Sequence, residues 1–190
     1  ERQTLTVDDQ PVGAATLVYL MLNKPRGLVT TASDEKGRAT VFSCLKDGPG
    51  AHLSPVGRLD QASEGLLLFT NDTAWANAVT DPATHLPKTY HVQIDQVPDA
   101  VLLRALESGV NLEGTFLAAK TATLLRAGQK NAWLEIVLAE GRNRHIRRLL
   151  EALGVNVLRL VRVAVGPLQL GALAKGEWRH LTADEVAALK

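Results

Sequence analysis

Leu66-Leu67-Leu68-Phe69 is an unbroken apolar run, closed by Gly65 on one side and by Asn71-Asp72 just beyond Thr70 on the other. It is too short for a buried helix and offers no polar face to water. It therefore predicts a central strand over Leu66–Thr70. A central strand demands partners, and the sequence supplies them. Thr16–Leu22 reads as a buried strand, broken by the turn chemistry of Asn23-Lys24-Pro25-Arg26-Gly27. Thr89–Asp95 alternates, with Tyr90, Val92 and Ile94 on one face and Thr89, His91 and Gln93 on the other. Trp133–Leu138 and the β-branched Val155–Val165 read as two more strands.

Helices are signalled between these strands. Asn71 or Asp72 caps a short one running to Val79, and a further short helix fits Thr40–Leu45. Asp99 starts one that buries Leu102, Leu103 and Leu106 and stops at Gly109. Asn143–Leu153 carries Ile146, Leu149, Leu150 and Leu153 at i, i+3, i+4 and i+7. Thr182 and Glu185 form a capping box for the last helix. Many strands lie only a turn apart, which favours an α+β fold with a mixed or antiparallel sheet over a doubly wound parallel one. Gly114–Lys120 is a candidate crossing between subdomains.

The length of 190 residues fits one sizeable domain or two small ones. With 46% apolar and 22% charged residues the chain is not of disordered composition. The single Cys44 excludes an intramolecular disulfide framework and a Cys-based zinc site, so a reducing cytoplasm is expected. The histidines show no metal-ligand spacing. No apolar run reaches a membrane span, so no membrane partner is expected. The chain starts at Glu1, which reads as a fragment or a processed product.

The formal net charge of +1 hides an asymmetry. Thr121–His180 holds ten Lys and Arg against four acids, a net of +6, and the remainder carries −5. The densest stretch, Arg142–Arg162, has six Arg and one Glu. Arg144, Arg147, Arg148 and Glu151 make a polar stripe beside the apolar one on the expected helix. A single such stripe is ordinarily a solvated face. Here every cation is Arg, whose planar fork suits phosphate, and the stripe runs on into Arg159 and Arg162. An anionic partner, nucleic acid, is the better reading. In Gly57-Arg58-Leu59-Asp60, the carboxylate lies on a constrained loop just before the central strand. Alone it reads rather as a turn Asp that accepts backbone N–H bonds. Lys88-Thr89-Tyr90 opens the alternating strand, and Tyr90 alone reads as a core phenol.

Taken together and in order, these pieces resemble the pseudouridine synthases of the RsuA, RluB, RluE and RluF group, with RluE and RluB closest in look. The resemblance rests on Leu22-Asn23-Lys24-Pro25-Arg26-Gly27 and Gly57-Arg58-Leu59-Asp60-Gln61-Ala62-Ser63-Glu64-Gly65 with the apolar run that follows. It continues through Leu86-Pro87-Lys88-Thr89-Tyr90, Glu140-Gly141-Arg142-Asn143-Arg144-His145-Ile146-Arg147-Arg148, Arg159-Leu160-Val161-Arg162 and Gly166-Pro167-Leu168. It covers roughly Tyr19 to Leu189. It implies an α+β fold, with a mixed, mostly antiparallel sheet in two subdomains around a central catalytic cleft. Residues 16–190 form the catalytic domain. Residues 1–15, through Thr4–Val12, resemble the end of a small S4 RNA-binding domain or its linker.

The resemblance also implies the chemistry, isomerisation of a uridine in RNA to pseudouridine. The family's invariant Asp maps onto Asp60. Whether it attacks C1′ or the base, or assists a glycal-type route, stays open. The basic residue opposite it maps onto Arg147, where a guanidinium in contact favours the ionised carboxylate and fixes its orientation. Tyr90 maps onto the tyrosine that packs against the target base. Arg58, Lys88, Arg142, Arg144, Arg148 and Arg162 are the expected RNA-binding residues. The reaction is neither redox nor hydrolytic, so no cofactor and no metal are implied. The expected partner is ribosomal RNA, 23S ahead of 16S, bound by a monomer. Two other readings compete: a non-catalytic RNA-binding ribosome-assembly factor, and a carboxylate hydrolase using Glu64 as a second acid.

Overall fold

The computed structural model describes residues 16–49, 52–141 and 144–190, together with the backbone of 6–7 and 10–11. The expected S4 remnant at 1–15 and Arg142 therefore lie largely or wholly outside the described residues. In chain order the strands are β1 Thr6–Val7, β2 Gln10–Pro11, β3 Tyr19–Lys24, β4 Ser54–Val56, β5 Glu64–Thr70 and β6 Lys88–Ile94. They continue with β7 Val110–Leu112, β8 Thr115–Leu117, β9 Thr121–Ala127, β10 Ala132–Leu138, β11 Val157–Val165, β12 Leu168–Gln169 and β13 Trp178–His180. The α-helices are α1 Thr73–Thr80, α2 Ala100–Ser108, α3 His145–Ala152 and α4 Ala183–Ala188, and Val41–Leu45 is a 3-10 turn.

One sheet dominates, ordered β13-β3-β5-β11-β6-β10-β9, with β12 added to β11 and β4 to β5. The apolar run of β5 is buried on both faces, as its sequence requires. Leu66 and Leu68 pack with Met21, Trp75, Val79, Val165 and Leu168. Leu67 and Phe69 pack on the other side with Leu20, Leu22, Val41, Leu53 and Leu59. A third cluster lies in the other half of the sheet, where Val92, Ile94, Leu134, Ile136 and Leu138 meet Leu106, Ile146, Leu149 and Leu150. The two expected subdomains are thus two halves of one continuous sheet, and they meet where β5 and β11 run parallel, at Val161↔Glu64 and Arg162↔Gly65.

Gly65 decides how closely those halves approach. Its φ is +106°, and a Cβ there would lie 2.2 Å from the Arg162 carbonyl oxygen. The two strands therefore approach backbone to backbone at this junction.

Several local signals act as expected. Asp72 accepts the Trp75 amide and Asp99 the Leu102 amide, each as the N-cap of its helix. Thr182 and Glu185 complete their box. Gly114–Lys120 is not a crossing: Gly114 turns the β7–β8 hairpin, and Leu117 and Ala119 are buried in the same half as Leu106.

Candidate active site

The loop Gly57–Ser63 leaves β4 and enters β5, and it is tied down from below. Lys24, at the end of β3, is fully buried. Its Nζ donates to the carbonyls of Ser63 (2.7 Å), Pro25 (3.1 Å) and Gln61 (3.4 Å). Thr30 Oγ1 donates to the Leu59 carbonyl at 2.7 Å and accepts from the Leu59 amide at 3.3 Å. The Gly27 amide reaches Gln61 O at 2.7 Å. The turn motif Asn23–Gly27 is thus the support under Asp60. Burial lowers Lys24 to a pKa of about 8, against the opposing pull of Glu64 and Asp60.

The Asp60 side chain is 32% exposed, and Arg144 Nη1 donates to Oδ2 at 3.4 Å. Arg147, expected opposite Asp60, lies one step along the same loop. Its Nη2 donates to Ala62 O at 3.3 Å and to Ser63 Oγ at 3.5 Å. Burial lowers Arg147 first, the nearby Arg144 adds to that, and Asp60 pulls the other way. The direct ion pair to Asp60 is therefore made by Arg144, and Arg147 braces the loop behind it. Arg144 reaches because it is the N-cap residue of α3, in the left-handed region (φ 52°, ψ 32°), where its side chain swings off the helix toward the loop.

A cleft of about 700 Å³ opens above this loop. Asp60, Arg58 and Arg144 line it from one side, and Lys88, Tyr90, Leu160 and Arg162 from the sheet. Tyr90 of β6 and Arg162 of β11 are ladder partners, so their side chains leave the same face. Both are buried, at 9% and 8% exposure. Arg162 Nε donates to Leu66 O at 2.8 Å. Lys88, two residues before Tyr90, is lowered by burial and then by the Arg162 charge. Arg58 is exposed at the rim, and Arg148 is half-buried on α3 and does not line the cleft.

Glu64 has a different task from the one a hydrolase would give it. It is buried, accepts both Arg159 Nε (3.1 Å) and Nη2 (2.9 Å), and pairs with Lys175 at 2.7 Å. Burial alone would raise Glu64, and the hydrogen bonds from Arg159 and Lys175 outweigh it, so the net shift is downward. Arg159 also stacks on Trp133, 5.5 Å from the ring centroid. These contacts neutralise Arg159, although its side chain still reaches solvent. Among the described residues no group of three or more His, Cys, Asp or Glu could hold a metal ion, and no helix is long and apolar enough to cross a membrane.

Comparison with known proteins gives a consistent result. The family model described as RNA pseudouridylate synthase matches residues 18–152. An uncharacterized RNA pseudouridine synthase of Aquifex aeolicus is 38% identical over all of this chain and 76% of its own length. Ribosomal large subunit pseudouridine synthase B of Bacillus subtilis is 40% identical over 91% of this chain and 71% of its own. A crystal structure of a pseudouridylate synthase superposes with a TM-score of 0.80 at 30% identity, covering 98% of this chain and 80% of that one. An archaeal box H/ACA Nop10–Cbf5 complex shares the fold at a TM-score of 0.58 and 16% identity, over 80% of this chain and 49% of that one.

Proposed function

This chain belongs to the RNA pseudouridylate synthase family, and from that premise we propose that it isomerises one uridine of ribosomal RNA, in the large subunit, with Asp60 as nucleophile. The observation that carries this reading is the meeting of Asp60, Tyr90 and an Arg144 guanidinium around one cleft. The ribosomal target is supported by the name of the Bacillus subtilis relative. Residues 16–190 act as the catalytic domain, and residues 1–15 as the remnant of an S4 RNA-binding domain or a linker.

The chemistry follows from the geometry. A stacked base cannot reach Asp60, so the target uridine is extruded or taken from an unpaired loop, at a cost of about a few kcal/mol. Arg58 at the rim and Arg144 beside Asp60 contact the flanking phosphates, and Tyr90 packs on the flipped base. The N1–C1′ bond breaks, the base turns, and C5 joins C1′. The C5 proton leaves and N1 gains one, so nothing is added or removed. Arg144 aims the attacking carboxylate through its contact with Oδ2, and Arg147 keeps the loop from giving way.

The test is tritium release from C5-labelled large-subunit RNA without added metal. Wild type releases tritium, and Asp60→Asn releases none while its RNA affinity stays within a few-fold. Turnover by Asp60→Asn refutes the nucleophile. Binding without turnover by the wild type would favour a non-catalytic RNA-binding factor. The hydrolase reading lacks its second acid, because Glu64 is held by Arg159 and Lys175.

A further inference from the structure

Two other buried charges among the described residues are matched. Glu64 has Arg159 and Lys175, and Lys24 has three carbonyls. The pair at the floor of the cleft differs. Arg162 spends only Nε, on Leu66 O, and its two Nη groups have no hydrogen-bond partner among the described residues. Lys88 has no hydrogen-bond or ion-pair partner among them either, it lines the same cleft as Arg162, and the Arg162 charge acts against its own. The acids that line the cleft, Asp60, Asp81 and Glu140, form no ion pair with either cation. Two cations on one cleft floor, in a partly dry site with no counterion among the described residues, are costly until an anion arrives.

Depth indicates which anion this is. A phosphodiester runs along the surface and meets the rim, where Arg58 is exposed and Arg144 is 51% exposed. What reaches a guanidinium 8% exposed, directly across the ladder from Tyr90, is the innermost part of an extruded nucleotide, its base. We propose that Lys88 and Arg162 bind the uracil ring of the flipped nucleotide and stabilise the negative charge it gains as the glycosidic bond opens. This rests on the reading of the cleft as a uridine-isomerising site.

The charge balance is explicit. When an Asp60 carboxylate oxygen bonds to C1′, the C1′–N1 electron pair leaves with the base. The detached uracil then carries one negative charge, spread over N1, O2 and O4. Preorganised cations facing that charge in a water-poor site stabilise the transition state more than the neutral ground-state base. A phosphate seat would act differently, because a phosphate is charged throughout and would be bound equally before and during the reaction.

The experiment uses single-turnover kinetics with enzyme in excess over a large-subunit RNA fragment, comparing wild type, Lys88→Met, Arg162→Lys and Asp60→Asn. Lys88→Met should slow the saturated rate constant by about 100-fold, the scale of losing one preorganised donor. Its RNA affinity and salt slope should hold. It should also fold at least as well as wild type, because a repelled, half-buried cation is removed. A second substrate separates electrostatics from mere fit. Fluorine at C5 withdraws electrons and stabilises the departing base anion. On 5-fluorouridine RNA the Lys88→Met deficit, read as loss of the unreacted nucleotide by mass spectrometry, should therefore shrink at least several-fold. Arg162→Lys keeps the charge and should retain more activity than Lys88→Met. An unchanged saturated rate in Lys88→Met overturns the proposal, as does a loss confined to affinity and salt slope, which would mark a phosphate seat. An equal deficit on both substrates overturns it too. An inactive wild type would instead fail the parent reading, and the Asp60→Asn control keeps the two failures apart.

Discussion

Arg144 pays for its position with its backbone. A non-glycine residue at φ 52° is strained by about 1 kcal/mol, and its side chain makes no cap hydrogen bond to offset that. What it makes instead is the ion pair to Asp60 at 3.4 Å. Strain maintained at a site next to the reacting carboxylate is expected where the side chain, not the backbone, is what matters. Arg144→Gly and Arg144→Ala should then separate. Both lose the ion pair, so both should lose turnover on RNA to a similar degree. The glycine variant relieves the left-handed backbone and should be more stable than the alanine variant by about 1 kcal/mol in urea unfolding. Equal stability of the two would mean that the cap geometry carries no strain. Near-normal turnover in either would remove Arg144 from the site. The sequence leaves this partner undeclared. Helical periodicity from Ile146 to Leu153 puts Arg144 and Arg147 on one stripe, and family resemblance selects Arg147. The reach of Arg144 depends on where the helix begins, and the apolar repeat leaves that point open by a residue or two.

At the scale of elements, the support of the Asp60 loop is one strand end. Lys24 closes β3 under that loop, and its ammonium replaces water for three carbonyls. Because burial lowers its pKa to about 8, against about 10.4 in an unfolded chain, the unfolded state holds more protons between those values. Stability therefore rises with pH across that window: the penalty is fully present below pH 8 and is relieved toward pH 10. Lys24→Met removes the titrating group and should flatten this rise in denaturant unfolding measured from pH 8 to 10. It should also lower turnover at pH 7.5, because the Gln61 and Ser63 carbonyls lose their donor. A rise of unchanged size in the variant would assign the titration elsewhere. Elements of this kind differ in how well the sequence declares them. The alternation of β6, the Asp99 and Gly109 ends of α2, and the Thr182–Glu185 box are local chemistry, and each was readable in place. The parallel seam of β5 and β11 joins residues nearly a hundred positions apart. Gly65 permits it, yet Gly65 in the sequence signals only the edge of an apolar run.

Over the whole molecule, the basic half is less available to RNA than its composition suggests. Of the ten cations in Thr121–His180, Arg159 and Lys175 are held by Glu64 and Arg179 by Glu185, and Arg162 faces the cleft floor. The sequence separates the −5 part from the +6 part, but only the fold shows which charges are already spent. The cations left at the mouth of the site come from both parts: Arg58 and Arg144 on the cleft, and Arg26 with Arg144 on a neighbouring depression formed by Gly27, Gln61 and Ala62. With about three phosphate contacts to a single strand, log Kd against log salt should have a slope of magnitude about 2, against about 7 if all ten cations of the basic segment were engaged. Arg58→Ala should reduce that magnitude by about 0.7, one contact's share. Arg179→Ala, which frees Glu185 and touches nothing in the cleft, should leave it unchanged. A slope steeper than about 5 for the wild type would place much of the Thr121–His180 surface against RNA. An Arg179→Ala slope shifted as far as that of Arg58→Ala would move the RNA path across β13 and away from the Asp60 cleft.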